Sequence, residues 1–373
     1  MPVQKTKKLR VLGIMSGTSL GSVDYALCDI SPDRVRLAEL WSVHYPRALQ
    51  ERLHRAARGD LNSWDMAQLH HDLGRFYAAH AQKGRHRPHL AGVHGQTVFH
   101  FPDRKRPSTL QLGEPAYLAE ALRAPVVANF RVADLAAGGQ GAPLATIFHR
   151  FVFAEPGRHV CVNNLGGISN VTSLDWRKNK TASQPRIMAF DTGPANMLMD
   201  FAMRHYSGGK LTYDKQGRWA ARGKPSEALL TAWLKHPYFR KAPPKSTGRE
   251  LFGEPFFTAA LRKMKSMDAH DVVATFTEFT GRSLALNYRL HLPTVPQKVI
   301  LTGGGGANPV LVKAIRRALN ESGVPVEVLT CDTLGWPVES IEPAAFALLA
   351  WLRIHGEPGN IPETTGAGRP VLC

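Results

Sequence analysis

The fold prediction rests on the stretch Val11-Leu12-Gly13-Ile14-Met15-Ser16-Gly17-Thr18-Ser19. An apolar run leads into a loop of small residues, and a second run rich in apolar residues follows at positions 23–30. This order predicts a β-strand, a glycine-containing turn and a second strand. Together these elements are predicted to form a β-hairpin. The small residues at its tip would leave the main-chain groups accessible.

The same plan occurs again later in the chain. The run His159-Val160-Cys161-Val162 leads into Leu165-Gly166-Gly167-Ile168-Ser169-Asn170, and another short apolar run follows at 171–174. Gly17 and Gly167 are about 150 residues apart, which is a typical domain length. We therefore predict a duplicated α/β architecture with a cleft between the two halves.

Helical periodicity fills the sequence between and beyond these hairpins. Apolar residues recur at helical spacing in residues 63–80, 115–122, 195–205, 269–292 and 309–319. Asn308-Pro309 supplies an N-cap and a first-turn proline for the last of these helices. Residues 240–253, which contain Pro243-Pro244, are predicted to form an exposed loop, and the tail from Gly356 is predicted to be irregular.

Composition limits the class of protein. Of the 373 residues 43% are hydrophobic, which is enough to bury a core, and no apolar run reaches the length of a membrane span. The four cysteines, at positions 28, 161, 331 and 373, are far apart and form no CxxC pair. We therefore expect neither a disulfide framework nor a zinc site, and a reducing cytoplasmic location.

The net charge is strongly positive. Lys and Arg number 47 against 30 Asp and Glu, which gives a formal charge of +17. A positive field suits an anionic ligand. The basic residues lie in small scattered groups, however, without the interleaved aromatic residues or the motifs of nucleic-acid-binding proteins. We therefore expect a solvated basic surface and no nucleic-acid partner.

Two glycine-rich loops are candidates for binding phosphate or a flat ligand. The tip Gly17-Thr18-Ser19 offers main-chain N–H groups and two hydroxyls, although an ordinary tight turn would have the same composition. It is no Walker A loop, because no lysine follows in the required place. In Gly303-Gly304-Gly305-Gly306, a predicted strand runs into four glycines and then a capped helix. That order favours close approach of a ligand at a helix N-terminus, and it does not match the dinucleotide motif GxGxxG.

One carboxylate follows an apolar strand. In Phe190-Asp191-Thr192-Gly193-Pro194, Asp191 is predicted to lie after a strand at 187–190 and at the start of a helix. It could be a general base, or it could simply cap the helix. Further polar groups follow apolar runs at His94-Gly95-Gln96-Thr97 and Arg131-Val132-Ala133-Asp134. Amides, hydroxyls and arginine are the groups that sugar hydroxyls and a carboxylate require.

Taken together, the motifs occur in one characteristic order. They lie at residues 15–20, 94–97, 111–115, 129–131, 136–144, 165–170, 190–194, 245–252, 303–309 and 342–347. In this the chain resembles the anhydro-N-acetylmuramic acid kinase family, within the actin/hexokinase/Hsp70-like ATPase superfold. The resemblance runs from Gly13 almost to the C-terminus.

The resemblance implies a two-lobed fold built from duplicated halves. The expected lobes are residues 1–130 with 345–373, and residues 131–344. It also implies an ATP- and Mg²⁺-dependent reaction in which water opens the 1,6-anhydro ring of anhydro-N-acetylmuramic acid and the γ-phosphoryl group moves to O6. The product would be N-acetylmuramic acid 6-phosphate, formed in peptidoglycan recycling. A small anhydrosugar partner, a cytoplasmic location and a homodimer are implied as well.

The resemblance also assigns site residues. Asp191 would be the base that activates the attacking water. The nucleotide would be bound by loop residues. The β- and γ-phosphates would lie against Gly17, Thr18, Ser19, Gly166 and Gly167, and the adenosine end against Gly303, Gly304 and Gly305. The sugar would contact Thr97, Arg131 and Glu342, and the charge of Arg131 suits the lactyl carboxylate.

The chain departs from the family pattern in its first loop. Where the family has Ser-Leu-Asp-Gly-x-Asp, this sequence has Ser19-Leu20-Gly21-Ser22-Val23-Asp24. A carboxylate near the metal and the phosphates is therefore replaced by Gly21, and Asp24 remains as the candidate metal ligand. The alternative hypothesis is a catalytically impaired relative that still binds sugar or nucleotide. Which anhydrosugar is preferred, for example levoglucosan, stays open.

Overall fold

The computed structural model describes residues 8–17, 20–103, 105–177, 184–321 and 323–373. The chain divides into two compact units. Unit 1 comprises Met1–Val152 and Gly335–Cys373, and unit 2 comprises Phe153–Leu334. Residues 131–152 and 335–344 therefore belong to unit 1 and not to the second lobe, to which the sequence-based boundaries assigned them.

The strands are numbered in chain order. They are β1 (Leu9–Ser16), β2 (Ser22–Ser31), β3 (Arg34–His44), β4 (Leu90–Phe101), β5 (Ser108–Leu112), β6 (Val126–Ala128), β7 (His159–Leu165), β8 (Ile168–Asp175), β9 (Arg186–Pro194), β10 (Lys298–Thr302) and β11 (Glu327–Thr330).

The helices are numbered in the same way. They are α1 (Arg47–Arg58), α2 (Ser63–Ala81), α3 (Ala116–Leu122), α4 (Val132–Ala136), α5 (Thr146–Phe153), α6 (Asn196–Tyr206), α7 (Glu227–Trp233), α8 (Pro237–Arg240), α9 (Arg249–Phe252), α10 (Glu254–Lys263), α11 (Ala269–His291), α12 (Pro309–Asn320), α13 (Ile341–Ile354) and α14 (Pro362–Thr365). Short 3-10 helices lie at Lys215–Gly217, Ala220–Arg222, Gly304–Ala307, Cys331–Leu334 and Val338–Ser340.

The two sheets repeat one topology. In unit 1 the order is β3-β2-β1-β4, and β4 pairs in addition with β6 and β5. The β3-β2-β1 strands are antiparallel, whereas β4 is parallel to β1 and β6 is parallel to β4. In unit 2 the order β9-β8-β7-β10-β11 has the same succession of antiparallel and parallel pairs. The predicted α/β fold of duplicated halves is thus confirmed, while the cleft between the halves stays a prediction.

Both predicted hairpins are present. In the first, Leu9 pairs with Ile30 and Ser16 with Val23. In the second, His159 pairs with Asp175 and Leu165 with Ser169. The apolar runs form these strands because they are buried in the middle of their sheets, where β-branched and other apolar side chains are favoured.

The predicted helices agree with α2, α3, α6, α11 and α12 to within a residue or two. The cap of α12 is also present, because Oδ1 of Asn308 accepts hydrogen bonds from the N–H groups of Val310 and Leu311. The predicted exposed loop at 240–253 is wrong in part, since it includes α9 and the buried side chain of Lys245. The irregular tail includes the short helix α14.

Helix α13 sets the place of the last motif. It packs on β1, β2 and β4 of unit 1, and most of its residues are buried. The approach to β1 is so close that a Cβ atom on Gly13 would overlap the main-chain oxygen of Pro343. This packing is the reason that residues 341–354 join unit 1. Within the part of the chain that the structure describes, no helix is long and apolar enough to cross a bilayer.

Candidate active site

Asp191 lies inside β9, at an irregularity of the sheet. It pairs with Asn170, whereas Gly193 pairs with Ser169, so β9 carries one more residue than β8 between these pairs. Bulges of this kind re-aim side chains beside active sites. The N-cap of α6 is Ala195, so the alternative interpretation of Asp191 as a helix cap is wrong.

The carboxylate and main chain of Asp191 are held by the segment that follows α8. Oδ2 accepts a hydrogen bond from the N–H of Thr247 at 2.9 Å. The main-chain N–H of Asp191 donates to Lys245 O at 3.1 Å, and its carbonyl accepts from the Tyr238 hydroxyl at 2.7 Å. Burial raises the pKa of Asp191 to about 6, and the charge of Glu250 adds to this, against the Thr247 hydrogen bond. Such a group can take up a proton near neutral pH.

Lys245 anchors the segment that bonds to Asp191 on helix α11. Its buried ammonium donates to Asn287 Oδ1 at 2.6 Å and to Phe239 O at 3.2 Å, and lies 3.1 Å from His291 Nε2. Burial lowers the pKa of Lys245 to about 8. Asn287 also donates to Thr192 O at 2.8 Å. Helix α11 therefore supports both the strand that carries Asp191 and the segment that bonds to it.

The turn Gly166-Gly167 docks on the N-terminus of α6. The carbonyl of Gly166 accepts from the N–H of Asn196 at 2.9 Å, and that of Gly167 accepts from the N–H of Ala195 at 3.0 Å. The Asn196 side chain donates to Leu165 O at 2.8 Å. The turn and the first residues of α6 thus form one rigid assembly, at the end of the sheet where Asp191 lies.

The glycine-rich loop after β10 contacts the end of β7 that leads into this turn. Gly303 has φ +75°, and a Cβ atom there would overlap Oδ1 of Asn164 and crowd Leu165. Gly304 is exposed and begins the 3-10 helix that leads to α12. Thr302, Asn164, Asn170 and Asp191 pair in one row across the sheet of unit 2, so Asp191 and the two glycine-containing loops lie at the same end of that sheet.

The first loop belongs to unit 1. Thr18 and Ser19 lie outside the described residues. On either side of them, Gly17 O accepts from Gln96 Nε2 at 3.0 Å, Leu20 O accepts from Gln50 Nε2 at 3.0 Å, and Gly21 O accepts from the N–H of Tyr45 at 3.0 Å. Three carbonyl oxygens of the loop thus accept hydrogen bonds from other parts of unit 1. Such a loop can offer its N–H groups to an anion.

Arg131 is held in unit 1 by two acceptors. Its Nε donates to Nε2 of His94 at 3.0 Å, and its Nη1 donates to Gly141 O at 2.7 Å. Because a guanidinium only donates, His94 carries its proton on Nδ1 and gives it to Gly95 O at 2.7 Å. Burial, and then the charge of Arg131, lower the pKa of His94 to about 3, so the imidazole is neutral.

Glu342 and Thr97 lie in the same unit as Arg131. Glu342 is exposed in the first turn of α13. Desolvation by the surrounding protein raises the pKa of the Glu342 carboxyl. The positive charge of Arg131 lowers this pKa, and the negative charge of Asp24 raises it further. Thr97, on the strand that carries His94, accepts a hydrogen bond from Gln111 Nε2 at 3.3 Å. The sequence-based boundaries placed Arg131 and Glu342 in the second lobe, so both move to unit 1.

Asp24 is the carboxylate that the motif of the first loop retains. Its Oδ1 accepts from the Ser42 hydroxyl at 2.5 Å, and its pKa is raised by burial and by the charge of Glu339. Within the described ranges, no three His, Cys, Asp or Glu side chains form a group that could hold a metal ion. Mg²⁺ commonly takes one or two carboxylates besides phosphate oxygens and water, so Asp24 fits as a single carboxylate ligand.

Sequence reasoning assigned no specific role to two supporting residues. Asp134 is fully buried and accepts from the N–H of Gly141 at 2.7 Å, from Asn360 Nδ2 at 2.7 Å and from the Thr365 hydroxyl at 2.6 Å. It thereby fixes the loop whose carbonyl binds Arg131. Asn196 was likewise assigned no specific role. A carboxylate in an apolar helical segment followed by glycines was the available signal for Asp134.

Comparison with known proteins identifies the family of this chain. The sequence profile of the family described as anhydro-N-acetylmuramic acid kinase matches residues 9–373. This chain belongs to the anhydro-N-acetylmuramic acid kinase family. Proteins of that name from Cyanothece sp. and Acaryochloris marina are each 40% identical to it over 376 residues, covering 98% of both chains. The family predicted from the motifs is thus confirmed, and the chain is a kinase.

Among solved structures, a ROK family glucokinase from Streptomyces griseus, in complex with glucose and AMPPNP, aligns with a TM-score of 0.39 and 14% identity. It covers 91% of this chain and 99% of its own. The kinase-family assignment of this chain rests on the family profile and the sequence relatives.

Proposed function

We propose that the chain is an active anhydro-N-acetylmuramic acid kinase that opens the 1,6-anhydro ring and phosphorylates O6 at the expense of ATP. The observation that carries the proposal is Asp191, whose carboxyl has a pKa raised to about 6 and is held by Thr247, at the end of the sheet that also bears two glycine turns. A base poised near neutral pH, next to backbone suited to phosphate, is what the coupled reaction requires.

The proposed chemistry has two linked steps. Asp191 takes a proton from water as the water oxygen bonds to C1 of the sugar, and the C1–O6 bond breaks. O6 keeps that electron pair and attacks the γ-phosphorus, and the bond from phosphorus to ADP breaks. The products are N-acetylmuramic acid 6-phosphate and ADP, and the proton on Asp191 returns to solvent. Alignment supplies most of the acceleration in such a reaction.

The sugar would be bound by unit 1 residues. Arg131 would pair with the lactyl carboxylate, because its guanidinium is held rigidly and charge-assisted hydrogen bonds to a carboxylate are strong. Glu342 and Thr97 would accept or donate hydrogen bonds to the sugar hydroxyls.

The nucleotide would be bound by the glycine-containing loops. The proposed phosphate-binding residues are Gly17, Thr18, Ser19, Gly166 and Gly167, and those at the adenosine end are Gly303, Gly304 and Gly305. Asp24 would hold Mg²⁺ together with phosphate oxygens and water. When bound, the ion neutralises charge on the phosphates. A cytoplasmic homodimer that acts in peptidoglycan recycling remains part of the proposal.

The decisive experiment measures sugar-dependent ADP release. The protein with ATP and Mg²⁺ should release ADP in the presence of anhydro-N-acetylmuramic acid and not in its absence, and the product should be heavier than the sugar by one phosphoryl group (HPO3) and one water. Levoglucosan in a parallel assay tests the choice of anhydrosugar. Sugar binding without turnover would instead support the impaired relative that Gly21 suggests.

A further inference from the structure

One hydroxyl next to Asp191 is unexplained by the fold. Oγ1 of Thr247 is buried and has no hydrogen-bond partner among the described residues. The main-chain N–H of the same residue is bonded to Asp191 Oδ2 at 2.9 Å, so the hydroxyl lies in the immediate surroundings of that carboxylate. A buried polar group without a partner destabilises a fold, and therefore calls for a functional explanation.

The hydroxyl is not needed to hold the segment in place. The segment is fixed by the ammonium of Lys245, which bonds to Asn287 and Phe239, and by the main-chain bonds to Asp191. None of these bonds involves Oγ1 of Thr247. A side chain of equal volume and no hydroxyl would leave them all intact, so the contacts of the segment do not account for the hydroxyl.

The carboxylate of Asp191 has a free oxygen to match. Its Oδ2 is engaged by Thr247, whereas Oδ1 receives no hydrogen bond from any residue that the structure covers. The base therefore has one anchored oxygen and one available oxygen. The available oxygen and the Thr247 hydroxyl are two acceptors attached to neighbouring groups.

We propose that the Thr247 hydroxyl, together with Asp191 Oδ1, holds the water that attacks C1. This inference rests on the proposed function. The water gives one hydrogen to Oδ1 and the other to Oγ1 of Thr247, which leaves its lone pairs directed at the sugar. In the reaction Asp191 takes the first proton, the new C1–O bond forms as the C1–O6 bond breaks, and the hydrogen that faces Thr247 stays on the product hydroxyl. The role of Thr247 is to orient the nucleophile.

Thr247→Val tests this assignment, because valine keeps the volume and the main-chain N–H but lacks the hydroxyl. The kcat of sugar-dependent ADP release should fall on the order of 10-fold, the effect of one lost hydrogen bond in the transition state, while both KM values stay within about 2-fold. The melting temperature should stay the same or rise, because an unpaired buried hydroxyl is removed. Thr247→Ser should restore kcat, and Ser246→Ala, a change in the exposed neighbouring hydroxyl, should leave it unaltered.

Each other outcome overturns the inference in a distinguishable way. An unchanged kcat in Thr247→Val, with the parent active, removes the water-binding role and leaves the proposed function standing. A raised sugar KM at constant kcat assigns the hydroxyl to the sugar instead. A lower melting temperature with lost activity that serine does not restore makes the hydroxyl structural. A parent that releases no sugar-dependent ADP removes the proposed function, and this inference falls with it.

Discussion

Nε of Arg131 donates a hydrogen bond to Nε2 of His94 at 3.0 Å. The bond requires a neutral imidazole, and burial lowers the pKa of His94 to about 3, so the pair keeps one protonation state over the physiological range. With Nη1 on Gly141 O, the guanidinium is fixed at two points, and its Nη2 has no hydrogen-bond partner within the described part of the chain. That nitrogen is free for an anionic ligand.

Replacing Arg131 by lysine should weaken binding of the acidic sugar selectively. Lysine keeps the charge but cannot bond to His94, Gly141 and a carboxylate in the fixed geometry of a guanidinium. We expect the KM for anhydro-N-acetylmuramic acid to rise roughly 10- to 100-fold, the effect of one charge-assisted hydrogen bond, with a smaller change in kcat. Steady-state kinetics would measure this. Levoglucosan, which has no carboxylate, is the control, and an equal loss with both sugars would argue against a carboxylate contact.

Asp191→Asn should remove the base and preserve the site. Asparagine has the same size and can still accept the hydrogen bond from the Thr247 N–H. Turnover should fall on the order of 10²- to 10⁴-fold, as expected for loss of a general base. Sugar affinity, measured by calorimetry, should be largely kept. Turnover near that of the parent in this variant would show that another group activates the water.

The pH dependence of kcat/KM should follow the titration of the Asp191 carboxyl. Burial raises the pKa of Asp191 to about 6, and a base works only when deprotonated, so kcat/KM should fall as the pH drops below about 6. The limiting slope is about tenfold per pH unit for one essential base. Asp200 is a matched control, because burial raises its pKa to about 6 as well and it has no part in the proposed chemistry. The Asp200→Asn variant should still lose kcat/KM at low pH as the parent does. If that fall disappears in the variant, Asp200 and not Asp191 is the group that titrates.

Asp134→Ala should destabilise the protein. The carboxylate is fully buried and accepts three hydrogen bonds, from Gly141, Asn360 and Thr365. Unpaired buried donors each cost about 1–3 kcal/mol, so we expect a loss of roughly 3 kcal/mol or more in the free energy of unfolding, measured with denaturant. Asp60→Ala, which breaks only the exposed pair with Arg58, should change it by less than about 1 kcal/mol. Similar losses in both variants would contradict the role of Asp134.

The sequence predicted the hairpins and several helices because their signals are local. Strands β1 and β7 show as apolar runs that end in small residues, and α11 and α12 as helical periodicity. Helix α13 gave no such signal, since a helix buried on most sides has no amphipathic pattern. Its packing on β1 places residues 341–344 in the same unit as residues 345–354, whereas the predicted boundary fell inside this helix, at residue 345.

The sequence predicted only those residues of the candidate site that lie in a recognisable motif. Asp191 stands in a recognisable motif, but the bulge that aims it depends on the pairing of β9 with β8. The bond between the Lys245 ammonium and Asn287 joins residues that are distant in sequence, and no local pattern shows it. For the same reason Lys245 was expected in an exposed loop, although it is buried beneath the base.

The unusual first loop can be tested by restoring the family pattern with Gly21→Asp and Ser22→Gly together. The carbonyl of Gly21 accepts the N–H of Tyr45, and a main-chain bond of this kind survives a change of side chain. The new carboxylate would stand near Asp24 and assist in holding Mg²⁺ against the phosphates. We expect a lower Mg²⁺ concentration at half-maximal rate and a higher kcat, with the sugar KM little changed. Ser22→Gly alone is the control, and it should alter neither value. A double variant that is slower than the parent, with the same Mg²⁺ dependence, would mean that the loop is adapted to Gly21 and that no carboxylate is lacking.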